Sequence, residues 1–192
     1  MLMSQRQALE VLAEHRADRI VITTMSAVGI WPSISDTPLD FAYLPSTMGQ
    51  GPSLGLGLAL AQPSRGVVVV NGDGCMLMNL GCLVTIAGHP ADLFLLVLDN
   101  GIYEVTGGQP TAGSGRIDFA GAARSSGIRR VYAFDTLSDW EEGAAEALTG
   151  AGPVFIVLKV EARYGQKTPK APHPMREQIR SLQQALGVEQ HF

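Results

Sequence analysis

Asp73 and Asn100 stand 27 positions apart, and each follows a run that reads as a buried strand. Val67 to Val70 lead into Asn71-Gly72-Asp73-Gly74, and Leu93 to Leu98 lead into Asp99-Asn100-Gly101. Gly72 lets the chain turn sharply as the strand ends. Gly74 allows close approach to backbone amides just ahead of a helix N-terminus, a place that favours anions and phosphate above all. An aspartate there repels a phosphate unless a cation lies between them. Magnesium takes oxygen ligands and commonly joins one or two protein oxygens to phosphates. Asp73 could supply one oxygen, Asn100 a second and the Ile102 carbonyl a third. Taken singly, each glycine-flanked group is equally well an ordinary turn. As a pair, with one helix between them, they form one β-α-β unit that brings the two side chains side by side.

The rest of the chain supplies the elements that such a pair needs. Strand patterns fall near 20–24, 41–44, 66–71, 93–98, 129–133 and 153–160. Helical patterns fall between them: 5–15 with Ala8, Leu9 and Leu12 in phase, the glycine-rich 49–62, 76–87, 119–128 and 139–149. Ser138 with Glu141 three residues on reads as a capping box for 139–149. Residues 101–115 form a polar, glycine-rich loop, and an extended tail from 166 leads into an amphipathic helix over 175–187. Strands alternate with helices, and the central strands are apolar on both faces. That pattern predicts an α/β fold: a three-layer sandwich with a parallel sheet of about six strands and helices on both faces. Residues 1–192 read as one domain, with 166–192 as its C-terminal tail and helix. Ligands of such sheets bind at the carboxyl ends of the strands, where Asp73 and Asn100 both fall.

Composition narrows the class. The sequence has 192 residues, 46% of them hydrophobic and 17% charged, enough to bury a core. Its net charge of −4 comes without a basic cluster, which argues against nucleic acid as partner. No apolar run approaches the roughly 20 residues that span a bilayer, and the mixed-charge N-terminus is no secretory signal. Cys75 and Cys82 are too few for a disulfide scaffold and lack a zinc spacing. A cytoplasmic protein is the simplest reading. Gly55-Leu56-Gly57 falls short of a dinucleotide fingerprint, because Leu60 holds the third glycine place. His89 reads as a surface loop residue, and His15 and His191 as solvated. His173 is a candidate for a flap over the site.

Gly72-Asp73-Gly74, twenty-five residues and then Asn100 together resemble the thiamine diphosphate motif of the decarboxylase and acetolactate synthase superfamily. Residues 46–60, STMGQGPSLGLGLAL, resemble the segment that precedes that motif. Residues 98–111, LDNGIYEVTGGQPT, are most similar to the sulfopyruvate and phosphonopyruvate decarboxylase branch. The resemblance implies a thiamine diphosphate-binding fold with thiamine diphosphate and Mg2+ as cofactors. It implies Asp73, Asn100 and the Ile102 carbonyl as metal ligands. It places Gly72, the Gly74 and Cys75 amides, Thr23, Thr24, Ser26 and Tyr103 beside the diphosphate. It makes Met48, flanked by Ser46 and Thr47, the apolar wedge that bends the cofactor. Met48, Glu104 and Thr106 are the catalytic candidates; Glu104, Thr106 and Gln109 lie in the loop after the metal ligands, where they would touch substrate or frame its entrance. Relatives often carry serine where this chain has Cys75, so an amide contact carries over there and a hydroxyl contact does not.

The family also needs a glutamate on a separate pyrimidine-binding domain. The glutamates here are Glu10, Glu14, Glu104, Glu141, Glu142, Glu146, Glu161, Glu177 and Glu189. Glu104 alone falls in the site loop, on the diphosphate side. The resemblance therefore implies one subunit of a split decarboxylase for a small 2-oxo acid bearing a sulfonate or phosphonate. A separate pyrimidine-binding subunit would supply the glutamate, in a dimer or higher oligomer. An acetolactate synthase-like carboligase subunit and a non-catalytic cofactor-binding module are the alternatives.

Overall fold

The computed structural model describes residues 2–188. Six apolar runs form its main sheet: β1 (Ile20–Thr23), β2 (Asp40–Ala42), β3 (Val67–Gly72), β4 (Leu93–Asp99), β5 (Arg130–Phe134) and β6 (Val154–Lys159). They lie in the order β2-β1-β3-β4-β6-β5, with every neighbouring pair parallel. The eight helices described are α1 (Gln5–His15), α2 (Ser26–Ile30), α3 (Gly51–Ala61), α4 (Asp73–Met78), α5 (Cys82–Gly88), α6 (Phe119–Ser125), α7 (Leu137–Ala147) and α8 (Met175–Ala185).

Side chains of a strand alternate between faces, and here both faces are covered. Val68, Val70, Phe94, Leu96 and Leu98 share a core with Leu9 and Leu12 of α1 and with Trp140 and Ala144 of α7. Val67, Val69, Leu93, Leu95 and Val97 pack instead with Leu56 of α3, Leu83 and Ile86 of α5 and Ala123 of α6. This is the three-layer α/β sandwich that the apolar strands predict. The β2 edge is closed by α8, whose Gln178 side chain accepts the Ala42 amide at 2.8 Å. Among the described residues, no helix is long and apolar enough to cross a membrane.

Three local expectations change. The helix predicted over 76–87 is two helices, α4 and α5, separated at Asn79–Gly81. Asn79 leaves helical geometry, and its side chain donates to the Gly49 carbonyl at 3.1 Å, tying down the turn that carries Met48. The cap of α7 is Thr136 rather than Ser138. The Thr136 hydroxyl accepts the Asp139 amide at 3.2 Å, so the helix starts two residues earlier than predicted. The loop after Asn100 contains a small antiparallel hairpin, Ile102–Tyr103 against Gln109–Pro110. Gly107 and Gly108 turn it with φ of 127° and 76°, values that favour glycine.

The strand order creates a switch point. From β1 the chain moves outward to β2, and from β3 it moves the opposite way to β4. The connections diverge between the carboxyl ends of β1 and β3, leaving the crevice in which such sheets bind ligands.

Candidate functional site

A narrow cleft opens at that switch point. Thr24 and Ser26 line it beyond β1, Gly72 to Cys75 beyond β3, and Asn100, Ile102, Tyr103, Glu104 and Thr106 beyond β4, with Met48 reaching in from the turn before α3. Asp73 and Asn100 therefore line one cleft.

Asp73 begins α4 and is only 3% exposed. Burial pushes its pKa up to about 6. A hydrogen bond from Thr111 and the Gly74 and Gly101 amides oppose that rise, and nearby Asp99 adds to it. The Thr111 hydroxyl donates to Asp73 Oδ2 at 2.9 Å. At neutral pH the carboxylate is thus ionised in a poorly hydrated place. Among the described residues, no lysine or arginine pairs with it: Lys159, at the end of β6, pairs with Asp99 instead.

Asn100 is held at both ends. Its Oδ1 accepts the Ile102 amide at 3.0 Å, and its Nδ2 donates to Glu104 Oε2 at 2.6 Å. Glu104, 4% exposed, also accepts the Gln5 side-chain amide on the same oxygen. Such contacts fix which end of an amide faces a bound ion. Ile102 and Pro110 face each other as a non-hydrogen-bonded pair, since the next pair is bonded through the Thr111 amide to the Gly101 carbonyl at 2.9 Å, so the Ile102 carbonyl points away from the partner strand. The donors gathered here are carboxylate, amide and carbonyl oxygens, the hard set that suits Mg2+. The buried, uncompensated Asp73 charge gives such an ion a physical reason to bind.

Other assigned residues fall differently. Gly74 does not leave room for a ligand: a Cβ there would lie 2.6 Å from the Tyr103 ring. The close approach is Tyr103 packing on α4, whereas a Cβ at Gly72 would meet nothing within 4 Å. Thr24 lines the cleft and donates to the Val70 carbonyl at 3.1 Å. Thr23 faces the other way, into a separate cavity beside Trp31 and Asp40. His173 lines that second cavity too, so it is not a flap over the site. Ser46 and Thr47 belong to the Met48 turn but do not line the cleft, and the Ser46 hydroxyl is buried without a hydrogen-bond partner. Cys75 lines the cleft, with its thiol pushed up in pKa by burial. Gln109 is exposed at the hairpin turn, His15 is half-buried at the end of α1, and Glu189 and His191 lie outside the described residues.

Gln5, Asn71 and Thr111 are site residues that the sequence reading passed over. Gln5 had a signal: it lies four positions before Leu9, on the apolar stripe of α1, and is 1% exposed. A glutamine on a buried stripe needs a polar partner, and here the partner is Glu104.

The thiamine pyrophosphate enzyme model for the C-terminal TPP-binding domain matches residues 35–158. (Thiamine pyrophosphate, TPP, is another name for thiamine diphosphate.) The chain belongs to the TPP enzyme family. It is 38% identical over 167 residues to a sulfopyruvate decarboxylase subunit beta from Methanothermobacter thermautotrophicus, covering 84% of each chain. It is 40% identical over 155 residues to a phosphonopyruvate decarboxylase from Streptomyces viridochromogenes, covering 80% of this chain but only 38% of that one. The benzoylformate decarboxylase structure from Polynucleobacter necessarius superposes with a TM-score of 0.73 at 20% identity, over 88% of this chain and 35% of that one. That last likeness establishes the fold. The TPP-binding family match spans both β3 and β4, the strands whose ends carry Asp73 and Asn100.

Proposed function

We propose that this chain is the diphosphate-binding subunit of a split TPP-dependent decarboxylase. Its substrate would be a short 2-oxo acid with a sulfonate or phosphonate tail, and a separate subunit would cover the pyrimidine end of the cofactor. The observation that carries the reading is Asp73, buried and ionised at the switch-point cleft with no cationic side chain paired to it among the described residues, beside an Asn100 whose amide Glu104 holds in place. The names of the relatives support the choice of substrate class.

When bound, TPP supplies an electron sink for the pair released as carbon dioxide leaves. The chain's own residues bind and orient. Asp73, Asn100 and the Ile102 carbonyl would hold Mg2+ against the diphosphate. The Gly74 and Cys75 amides and the hydroxyls of Thr24 and Ser26 would face the phosphate oxygens. Glu104 orients Asn100, and Thr106 stands at the rim. Leu98, Ile102 and Val105 line the cleft with apolar surface that excludes water. We place the assembled enzyme in the cytoplasm as a dimer or higher oligomer.

Met48 would form the apolar wall at the middle of the cofactor. Asn79 and Gly49 fix its turn from behind. An interaction that serves the bend more than the binding shows up in kcat. Met48→Ala is therefore expected to lower kcat by roughly tenfold or more, with cofactor affinity changed less than about threefold. Full specific activity in a variant that merely melts earlier would make Met48 a packing residue.

The reading is tested by isolating the native complex on this tagged chain. Carbon dioxide release is then measured from sulfopyruvate, phosphonopyruvate and pyruvate with TPP and Mg2+. Release from a charged-tail acid is the expected result. Release from none of the three would defeat the decarboxylase reading.

A further inference from the structure

Beyond β6 the chain turns back over the loop at Val105 and over α2 as a strap. Thr168 donates to the Val105 carbonyl at 3.4 Å. The ring of Tyr164 lies 3.0 Å from where a Cβ at Gly108 would stand, and Pro169 lies 3.0 Å from the corresponding point at Gly29. Two glycines therefore make room for this path. Residues 162–174 carry Arg163, Lys167 and Lys170 and no acid, in a chain whose net charge is −4.

Between the strap and α2 lies a half-open cavity bordered by Ser26, Gly29, Glu104, Arg163, Gln166 and Lys167. Ser26 and Glu104 also line the main cleft, so the two spaces adjoin. Arg163 is steered but little used. Its Nη2 donates to Gln166 at 2.6 Å, while its Nε stays 3.9 Å from Glu104 Oε1, beyond hydrogen-bond reach. Glu104 is already engaged by Gln5 and Asn100 through its other oxygen. A guanidinium has five N–H donors in a fixed fork that suits the oxygens of phosphonate-like anions. Two cations against one carboxylate leave the cavity net positive.

We propose that this cavity is the subsite for the anionic tail of the substrate, with Arg163 and Lys167 as specificity-determining residues. The proposal rests on the decarboxylase reading. The 2-oxo acid end occupies the main cleft, and the sulfonate or phosphonate lies under the strap. The strap thereby selects charged-tail acids over pyruvate by charge and by the donor fork.

The test uses the native complex carrying Arg163→Gln, Arg163→Lys or Lys167→Gln. It measures kcat/KM for phosphonopyruvate, sulfopyruvate and pyruvate, together with TPP affinity. Arg163→Gln is expected to lower kcat/KM for the charged-tail acids roughly 10- to 100-fold, the loss typical of a hydrogen bond to a charged group. TPP affinity and any pyruvate turnover should change less than about twofold. Arg163→Lys should recover part of the loss, because it restores the charge without the fork. Lys167→Gln should cost phosphonopyruvate more than sulfopyruvate, since a phosphonate carries the larger charge near neutral pH, and the wild-type ratio of the two tells which tail the cavity prefers. Unchanged charged-tail kinetics, or an equal fall on all three acids, would overturn the subsite. Wild-type turnover of pyruvate alone would overturn it while leaving the decarboxylase reading intact; no wild-type turnover of any acid would overturn both.

Discussion

Asp73→Ala is expected to abolish magnesium-dependent TPP binding in the assembled complex and to remove its activity. Changing a residue one step behind a metal ligand already costs roughly 10- to 100-fold, so loss of the ligand itself should exceed about a hundredfold. The fold should not suffer. Burial raises the folded-state pKa of Asp73 to about 6 from an ordinary 3.8. Between those values the folded protein holds the proton more tightly than the unfolded chain. The stabilisation linked to that proton is complete below about pH 4 and lost above about pH 6. At pH 7 the cofactor-free protein therefore carries a poorly compensated charge, and Asp73→Asn should melt no earlier than wild type. Cofactor affinity of the wild type should weaken as pH falls through about 6, because the proton competes with the cation. An alanine variant that binds TPP with wild-type affinity by calorimetry would remove Asp73 from the site.

The second large effect is dependence on a partner. Among the described residues, Glu104 is the one glutamate that lines the cleft, and its carboxylate is occupied by Gln5 and Asn100. It stands at the metal end, whereas the family resemblance calls for a carboxylate at the pyrimidine end. This chain alone is therefore expected to release no measurable carbon dioxide from sulfopyruvate, phosphonopyruvate or pyruvate, and to bind TPP weakly if at all. Adding the pyrimidine-binding subunit should restore turnover by more than about a hundredfold, the scale of a missing general acid-base group. Sustained turnover by a preparation shown by mass spectrometry to contain this chain alone would defeat the split-enzyme reading.

Some of this was legible in the sequence because the physics is local. Valine and leucine runs buried on both faces announce parallel central strands, and an acid between two glycines at a strand end announces a turn with a purpose. That is why β3, β4, Asp73 and Asn100 could be placed in advance. The break at Asn79 was not legible, because a contact with Gly49, thirty positions away, overrides a continuous helical pattern. The direction of Thr23 was not legible either. Successive side chains point to opposite faces, so Thr23 and Thr24 cannot both look into one cleft, and only the strand's register decides which one does. Gln5 and the strap depend on distant contacts: Gln5 meets Glu104 99 positions away, and Thr168 meets Val105 63 positions away. No local pattern carries contacts of that span.

The most direct test is a calorimetric titration of the wild-type complex with TPP, in Mg2+ and again after the metal has been removed by chelation. Saturable binding with Mg2+, lost on chelation and regained when Mg2+ is returned, is the expected result. Binding of equal strength with and without the metal, or no binding in either condition, would contradict the assignment of Asp73 and Asn100 as the metal bridge to the cofactor.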